Sequence, residues 1–180
     1  MSKADALIVV NLFADLVLLA QVFIAIFVII LFLRVIAKKS KMLNGIVQFL
    51  SSNSLIFAFF VALFAMFGSL FFSEIALFTP CKLCWYQRIC MYPQVLILGI
   101  AAVKNDFAVR RYILPLSIIG LIIAVYHYVL QTSKIPLPCT DQIADCALKQ
   151  IQYFGYMTIP VMSATAFALI ILFMLISKKK

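Results

Sequence analysis

The sequence predicts an all-α polytopic membrane protein: a four-helix transmembrane bundle with one additional transmembrane helix at its N-terminus. Three observations carry that expectation. Of the 180 residues, 66% are hydrophobic and only 12% charged, with a mean hydropathy of +1.16, whereas soluble domains run at about 45–50% and about 25%. Five apolar runs approach the roughly 20 residues that a helix needs to cross the hydrocarbon. The basic residues gather beside alternate ends of those runs. The same composition excludes a soluble enzyme and a disordered chain. The net charge of +9 is too scattered for a phosphate-tracking face, so no nucleic-acid partner is expected.

The first run covers about 14–34, with a helix that starts near Leu7. It is too long for a signal-peptide core and has no small-residue cleavage site, so it reads as a true span. The second covers about 54–73, the third 85–103, the fourth 112–131 and the fifth 158–177. Pro93 and Pro115 fall inside spans, where neighbouring helices tolerate them as kinks. The amphipathic stretch 46–53 lies on the membrane surface or caps the second span. The chain therefore divides into 1–45, an extra helix with a basic loop, and 46–180, a four-helix domain.

Lys and Arg beside the spans set the orientation. Arg34, Lys38, Lys39 and Lys41 follow the first span, Lys104, Arg110 and Arg111 join the third to the fourth, and Lys178–Lys180 follow the fifth. All three clusters fall on one side, which becomes the cytoplasm and carries ten basic residues against the single acid Asp106. The N-terminus and the segments 74–84 and 132–157 then lie outside, where acids and bases balance. Asp15 and Glu74 read as residues of the outer interface.

Four of the five cysteines fall on that outer side, as Cys81-Lys82-Leu83-Cys84 and as Cys139 and Cys146. Thiols in an oxidising compartment tend towards disulfides. A C-x-x-C loop closes a short disulfide suited to exchange, and this one stands at the N-terminal end of a helix with Lys82 and Arg88 near, which favours the thiolate. Two other readings stay open. C-x-x-C is a common zinc half-site, although the six-residue gap of the second pair and an oxidising compartment argue for no metal. Two inert structural disulfides are the other. Cys90 reads as a small buried apolar residue.

Arg88 and His127, the only histidine, lie inside spans. Each is 16 residues from the cytoplasmic end of its helix, roughly 24 Å up at 1.5 Å per residue. Cys84 is one turn above Arg88 on the same face. Ionisable groups within a membrane are costly and point to function, although an arginine at that depth can also snorkel to the headgroups. A dithiol, a cation and an imidazole at one depth suit electron transfer from a thiolate to a lipid-soluble acceptor that takes up protons.

The stretch Pro80-Cys81-Lys82-Leu83-Cys84-Trp85-Tyr86-Gln87-Arg88, continuing to Met91-Tyr92-Pro93, resembles the disulfide-bond formation protein B (DsbB) family of bacterial membrane thiol oxidases. His127 with Gln131, and Phe154-Gly155-Tyr156-Met157-Thr158-Ile159-Pro160 ahead of the last span, are similar too, and the likeness covers roughly 50–178. The resemblance implies a multi-pass protein of the bacterial inner membrane whose four helices hold ubiquinone or menaquinone beside the first cysteine pair. It implies that Cys84 faces the quinone, that Cys81 exchanges, that Arg88 contacts a ring oxygen and that His127 lies nearby. Cys139 would form the mixed disulfide with an extracytoplasmic thioredoxin-fold thiol oxidase and Cys146 would resolve it, an assignment carried by order alone. Electrons would pass from that partner through both pairs to the quinone pool.

Three features depart from the family pattern. The first span is extra and has no assigned role. The Cys139–Cys146 loop is short, as in the short-loop branch. Gln87 replaces a glutamate found in some members, a change that reads as harmless. The vitamin K epoxide reductase family also joins C-x-x-C to a quinone, but its loop cysteines precede that motif, whereas here they follow it. A non-catalytic metal-binding or disulfide-stapled membrane protein is the reading from a different class. A transporter would need several polar residues at the membrane midplane, and the spans lack them.

Overall fold

The computed structural model describes residues 3–36, 41–133, 146 and 149–177. Among the described residues six α-helices follow one another: α1 Lys3–Ile36, α2 Lys41–Ser52, α3 Ser54–Leu70, α4 Lys82–Lys104, α5 Arg110–Thr132 and α6 Ile159–Ile176. Four helical stretches, Ile8–Leu33, Ser54–Ile75, Phe107–Thr132 and Ile159–Ile176, are long and apolar enough to cross a membrane. The remaining expected span, the third, falls on α4, which has 23 residues. Gln87, Arg88 and Gln94 make it less apolar, and all three side chains are buried in the bundle.

Helices α3, α4, α5 and α6 pack in a ring, each against the next and α6 back against α3. Leu98, Ile113, Phe167, Ile170 and Met174 are fully buried at its centre. The outward side chains are apolar as well (Phe64, Ile89, Val103 and Ile122 are exposed), as hydrocarbon rather than water requires. Because lipid gives no hydrophobic drive between helices, close contacts and polar bonds hold them together. Gln94, fully buried in α4, donates to the Cys90 carbonyl at 2.9 Å and accepts from Ser117 of α5 at 2.8 Å. Cys90 itself sits in the apolar core.

Pro93 and Pro115 both lie inside uninterrupted helices. The amphipathic stretch forms its own helix, α2, which turns into α3 at Asn53. At its far end α3 changes to a π-helical turn, Phe71–Ile75. Tyr153 and Met157 exchange backbone hydrogen bonds of 2.9 and 2.8 Å, folding the Phe154–Tyr156 segment back just before α6. The ends of α3 and α5 and the starts of α4 and α6 meet at one end of the bundle, and Cys81, Cys84 and Cys146 lie there.

Candidate functional site

Cys81 is the N-cap of α4, with extended backbone, and Cys84 lies in the first turn. A thiol is a poor cap, so the free N–H groups and dipole of this helix start remain available to a sulfur anion. The two sulfurs are 3.6 Å apart, with Cys81 donating to Cys84, a dithiol rather than a disulfide, which would need about 2.05 Å. That hydrogen bond holds the proton on Cys81, whose thiol is pushed up to about 11. Cys84, which precedes the 85–103 apolar run, is lowered. The Cys81 hydrogen bond is the main cause; burial opposes it, and the Cys81 backbone N–H and the Arg88 charge reinforce it. The pair is asymmetric, with Cys84 as the thiolate.

Arg88 lies one turn below Cys84. It is only 9% exposed, so it does not snorkel. Its Nε donates to Ser69 Oγ and its Nη2 to the Ser69 carbonyl, both at 2.9 Å. Tyr92 adds a bond to the same hydroxyl at 3.3 Å, and the guanidinium lies 5.3 Å from the Trp85 ring centre. Ser69 stands two residues before the π turn of α3, and its carbonyl also accepts from the Ser73 hydroxyl at 3.4 Å.

His127 of α5 is buried. Its Nδ1 is 3.1 Å from Gln87 Nε2, and its Nε2 is 3.2 Å from the Cys146 carbonyl and 3.7 Å from Cys81 Sγ. With the amide nitrogen donating to Nδ1, the ring proton belongs on Nε2, pointing at a carbonyl that can only accept.

Two hollows flank the dithiol. The larger holds about 300 Å³, the size of a small ligand pocket. Cys84, Gln87, Arg88 and Ser69 line its polar end, and Val61, Ala65 and Leu169 line its apolar depth. Val61 lies eight residues before Ser69 on the same helix, about 12 Å away. The smaller, of about 20 Å³, is bounded by Cys81, Cys84, His127 and Cys146. Cys84 belongs to both.

Five of the six expected site residues, Cys81, Cys84, Cys146, Arg88 and His127, thus meet at one end of the bundle. Cys139 lies outside the described residues. His127 is not on the wall of the large cavity; Gln87, read from the sequence as a harmless replacement, stands between them. Sequence reasoning also missed Ser69, whose signal was slight: a Gly68-Ser69 pair interrupting an apolar run. Among the described residues, Cys81, Cys84 and His127 place three possible metal ligand atoms within 4.8 Å of one another.

The sequence pattern of the family described as "Disulfide bond formation protein DsbB" matches residues 51–177. "Disulfide bond formation protein C" of Bacillus subtilis (strain 168) is 51% identical over 123 residues, 66% of this chain and 87% of that protein. "SPbeta prophage-derived disulfide bond formation protein B" of the same organism is 47% identical over 113 residues, 62% of this chain and 76% of that protein. "Probable disulfide formation protein" of Chlamydia caviae is 38% identical over 135 residues, 74% of this chain and 98% of that protein. No solved structure matches the chain.

Proposed function

The chain belongs to the disulfide bond formation protein DsbB family, and from that premise we propose that it is a quinone-linked thiol oxidase which reoxidises an extracytoplasmic thioredoxin-fold partner. Membership makes it a disulfide oxidoreductase acting in disulfide bond formation.

The observation that carries it is the position of Cys84, on the wall of both hollows. Through the small one the dithiol meets Cys146; through the large one it meets a cavity whose polar end holds a buried cation. The charge pattern of the loops supports an orientation with both cysteine pairs outside and the C-terminus in the cytoplasm.

Electrons would enter by thiol–disulfide exchange. The partner's thiolate attacks Cys139 of a Cys139–Cys146 disulfide and frees Cys146 as thiolate. The partner's second thiol then releases Cys139, leaving the partner oxidised and the loop pair reduced. Cys146 attacks Cys81 of a Cys81–Cys84 disulfide, and Cys84 leaves as the thiolate that its surroundings favour. Cys139 displaces Cys81 from Cys146, which restores the loop disulfide and leaves Cys81 and Cys84 reduced. The Nε2–H of His127, which points at the Cys146 carbonyl, also lies within 3.7 Å of the Cys81 sulfur and would stabilise negative charge there during exchange.

Ubiquinone or menaquinone in the large cavity would supply a two-electron, two-proton acceptor. Arg88, fixed by Ser69, would hold positive charge beside the ring oxygens, and Gln87 and Ser69 offer further polar contacts. The apolar depth suits an isoprenoid chain.

The test is reduction of a quinone analogue by the purified protein, supplied with a reduced thioredoxin-fold donor. Cys81→Ala and Cys84→Ala should each abolish it, and full activity in either would overturn the proposal. The three-ligand cluster favours one other reading, a metal-binding protein. That reading requires bound zinc in the purified protein and no quinone reduction.

A further inference from the structure

The family match begins at residue 51, and no step of the proposed electron path uses α1. The α3–α6 ring is complete without it. Yet α1 is fitted to the bundle along one stripe. Val10, Ala14 and Phe27 are buried and Phe13, Val17, Ala20 and Ile24 are half-buried, while Leu12, Leu19 and Ile26 stay exposed.

Phe13, Leu16, Val17 and Ala20 line the large cavity, together with Cys84 and Arg88. The seat of Phe13 is shaped for it. Its ring lies 5.7 Å from Phe72 and 6.1 Å from Phe71. Gly68 leaves the room, since a Cβ there would stand 3.0 Å from the Phe13 ring. One turn beyond Val17, Gln21 ties the helix down, donating to Thr165 Oγ1 at 3.0 Å and accepting from the Tyr156 hydroxyl at 2.8 Å. In hydrocarbon such an amide must be bonded, and bonding across helices fixes one packing among the many that two apolar faces allow.

We infer that α1 is the tail wall of the quinone cavity: its Val17–Ala20 surface packs the isoprenoid chain against Val61 and Ala65 of α3 and Leu169 of α6, and Gln21 latches that wall in place. This deepens the proposed quinone chemistry and rests on it. The polar residues of the cavity come from α3 and its π turn, from α4, from Gln150 and from Ser163 and Thr165 of α6, whereas α1 contributes only apolar surface. Ala20 lies seven residues beyond Phe13, about 10 Å further from the cysteine end, where a chain and not a ring would lie. Without α1, that side of the cavity would open to bulk lipid.

The experiment measures quinone reduction by the full chain, with dithiothreitol as the dithiol donor, using one long-chain and one tail-free quinone. Ala20→Trp fills the tail region, and Gln21→Leu removes the latch. Ala20→Trp should raise KM for the long-chain quinone about tenfold or more, within the range of added groups in an apolar pocket, and for the tail-free one by a clearly smaller factor. Gln21→Leu should shift the long-chain KM in the same direction. The alkylation rate of Cys84 reports whether the dithiol end is intact, and Gln21→Leu serves alone if Ala20→Trp disturbs it. Unchanged long-chain KM in a variant with intact Cys84 reactivity would overturn this inference alone. Failure of the unaltered chain to reduce either quinone would overturn the quinone reading itself, and this inference with it.

Discussion

Gln87 Nε2 stands 3.1 Å from Nδ1 of His127, and the same glutamine lines the large cavity. The imidazole that faces Cys81 is therefore oriented by a side chain whose other surroundings are the proposed quinone site. Gln87→Leu leaves Nδ1 without its donor and releases the ring from the Nε2–H form. Exchange into the Cys81–Cys84 pair should slow by roughly tenfold, the effect of about 1–2 kcal/mol for a lost buried hydrogen bond. Stopped-flow reduction of the pair checks this, and a Gln87→Leu protein identical to the original would remove Gln87 from the mechanism.

The shared proton of the dithiol predicts a second behaviour. Cys84 lies below the ordinary thiol value of 9.0 and Cys81 is pushed up to about 11. In the reduced protein, Cys84 should be alkylated first, at a rate that is sustained below pH 9.0 and lost as pH falls through its own lowered value. Cys81 should react only in strong base. Cys81→Ala removes the main cause of the lowering, so Cys84 should react more slowly at neutral pH and recover its rate above the ordinary thiol value. Mass-resolved trapping at timed intervals reads each site separately.

Arg88 is held by both polar atoms of Ser69, and a lysine cannot copy that fork. Arg88→Ala should lower kcat/KM for quinone by about tenfold to a hundredfold, as loss of a charge-assisted bond worth about 1.5–3 kcal/mol implies. Ser69→Ala keeps the cation and the carbonyl bond, and should cost nearer fivefold, about 1 kcal/mol. In both variants the two cysteine pairs should still oxidise, so quinone titrations against a fixed thiol donor separate an acceptor defect from a folding one.

Much of this arrangement was legible in the sequence. The apolar runs gave the long helices, because length and hydropathy alone decide whether a segment can cross a membrane. Counting from the basic ends put Arg88 and His127 at one depth. Depth does not say which way a side chain faces, since each residue turns about 100° around the helix. Gln87 and Arg88 are neighbours, yet one reaches α5 and the other α3. The seat of α1 was hidden for a related reason. Its buried and exposed faces are equally apolar, so no periodicity distinguishes Val17 and Ala20 from Leu12 and Leu19. Gln21 was the one polar mark on the buried stripe. Ser69 was hidden because a lone serine costs little in a membrane helix.

The second cysteine pair gives the last prediction. Cys146 is buried beside Cys81, with its carbonyl on His127. A sulfur lodged there suits passing electrons inward better than meeting a folded partner. Cys139 is then the residue left for the partner, and Cys146 the one that carries electrons on to Cys81. Cys146→Ala should accumulate a covalent complex with the disulfide form of the thioredoxin-fold partner, as the Cys139 thiolate opens that disulfide and frees the partner's second thiolate, visible as a shifted band that dithiothreitol collapses. Cys139→Ala should give no such band and should block reduction of the inner pair by the partner. Dithiothreitol, small enough to attack the inner disulfide directly, should still drive quinone reduction in both variants. If the trapped complex instead requires Cys146 and survives in Cys139→Ala, the order of the two cysteines is reversed, and the buried position of Cys146 must open when the partner binds.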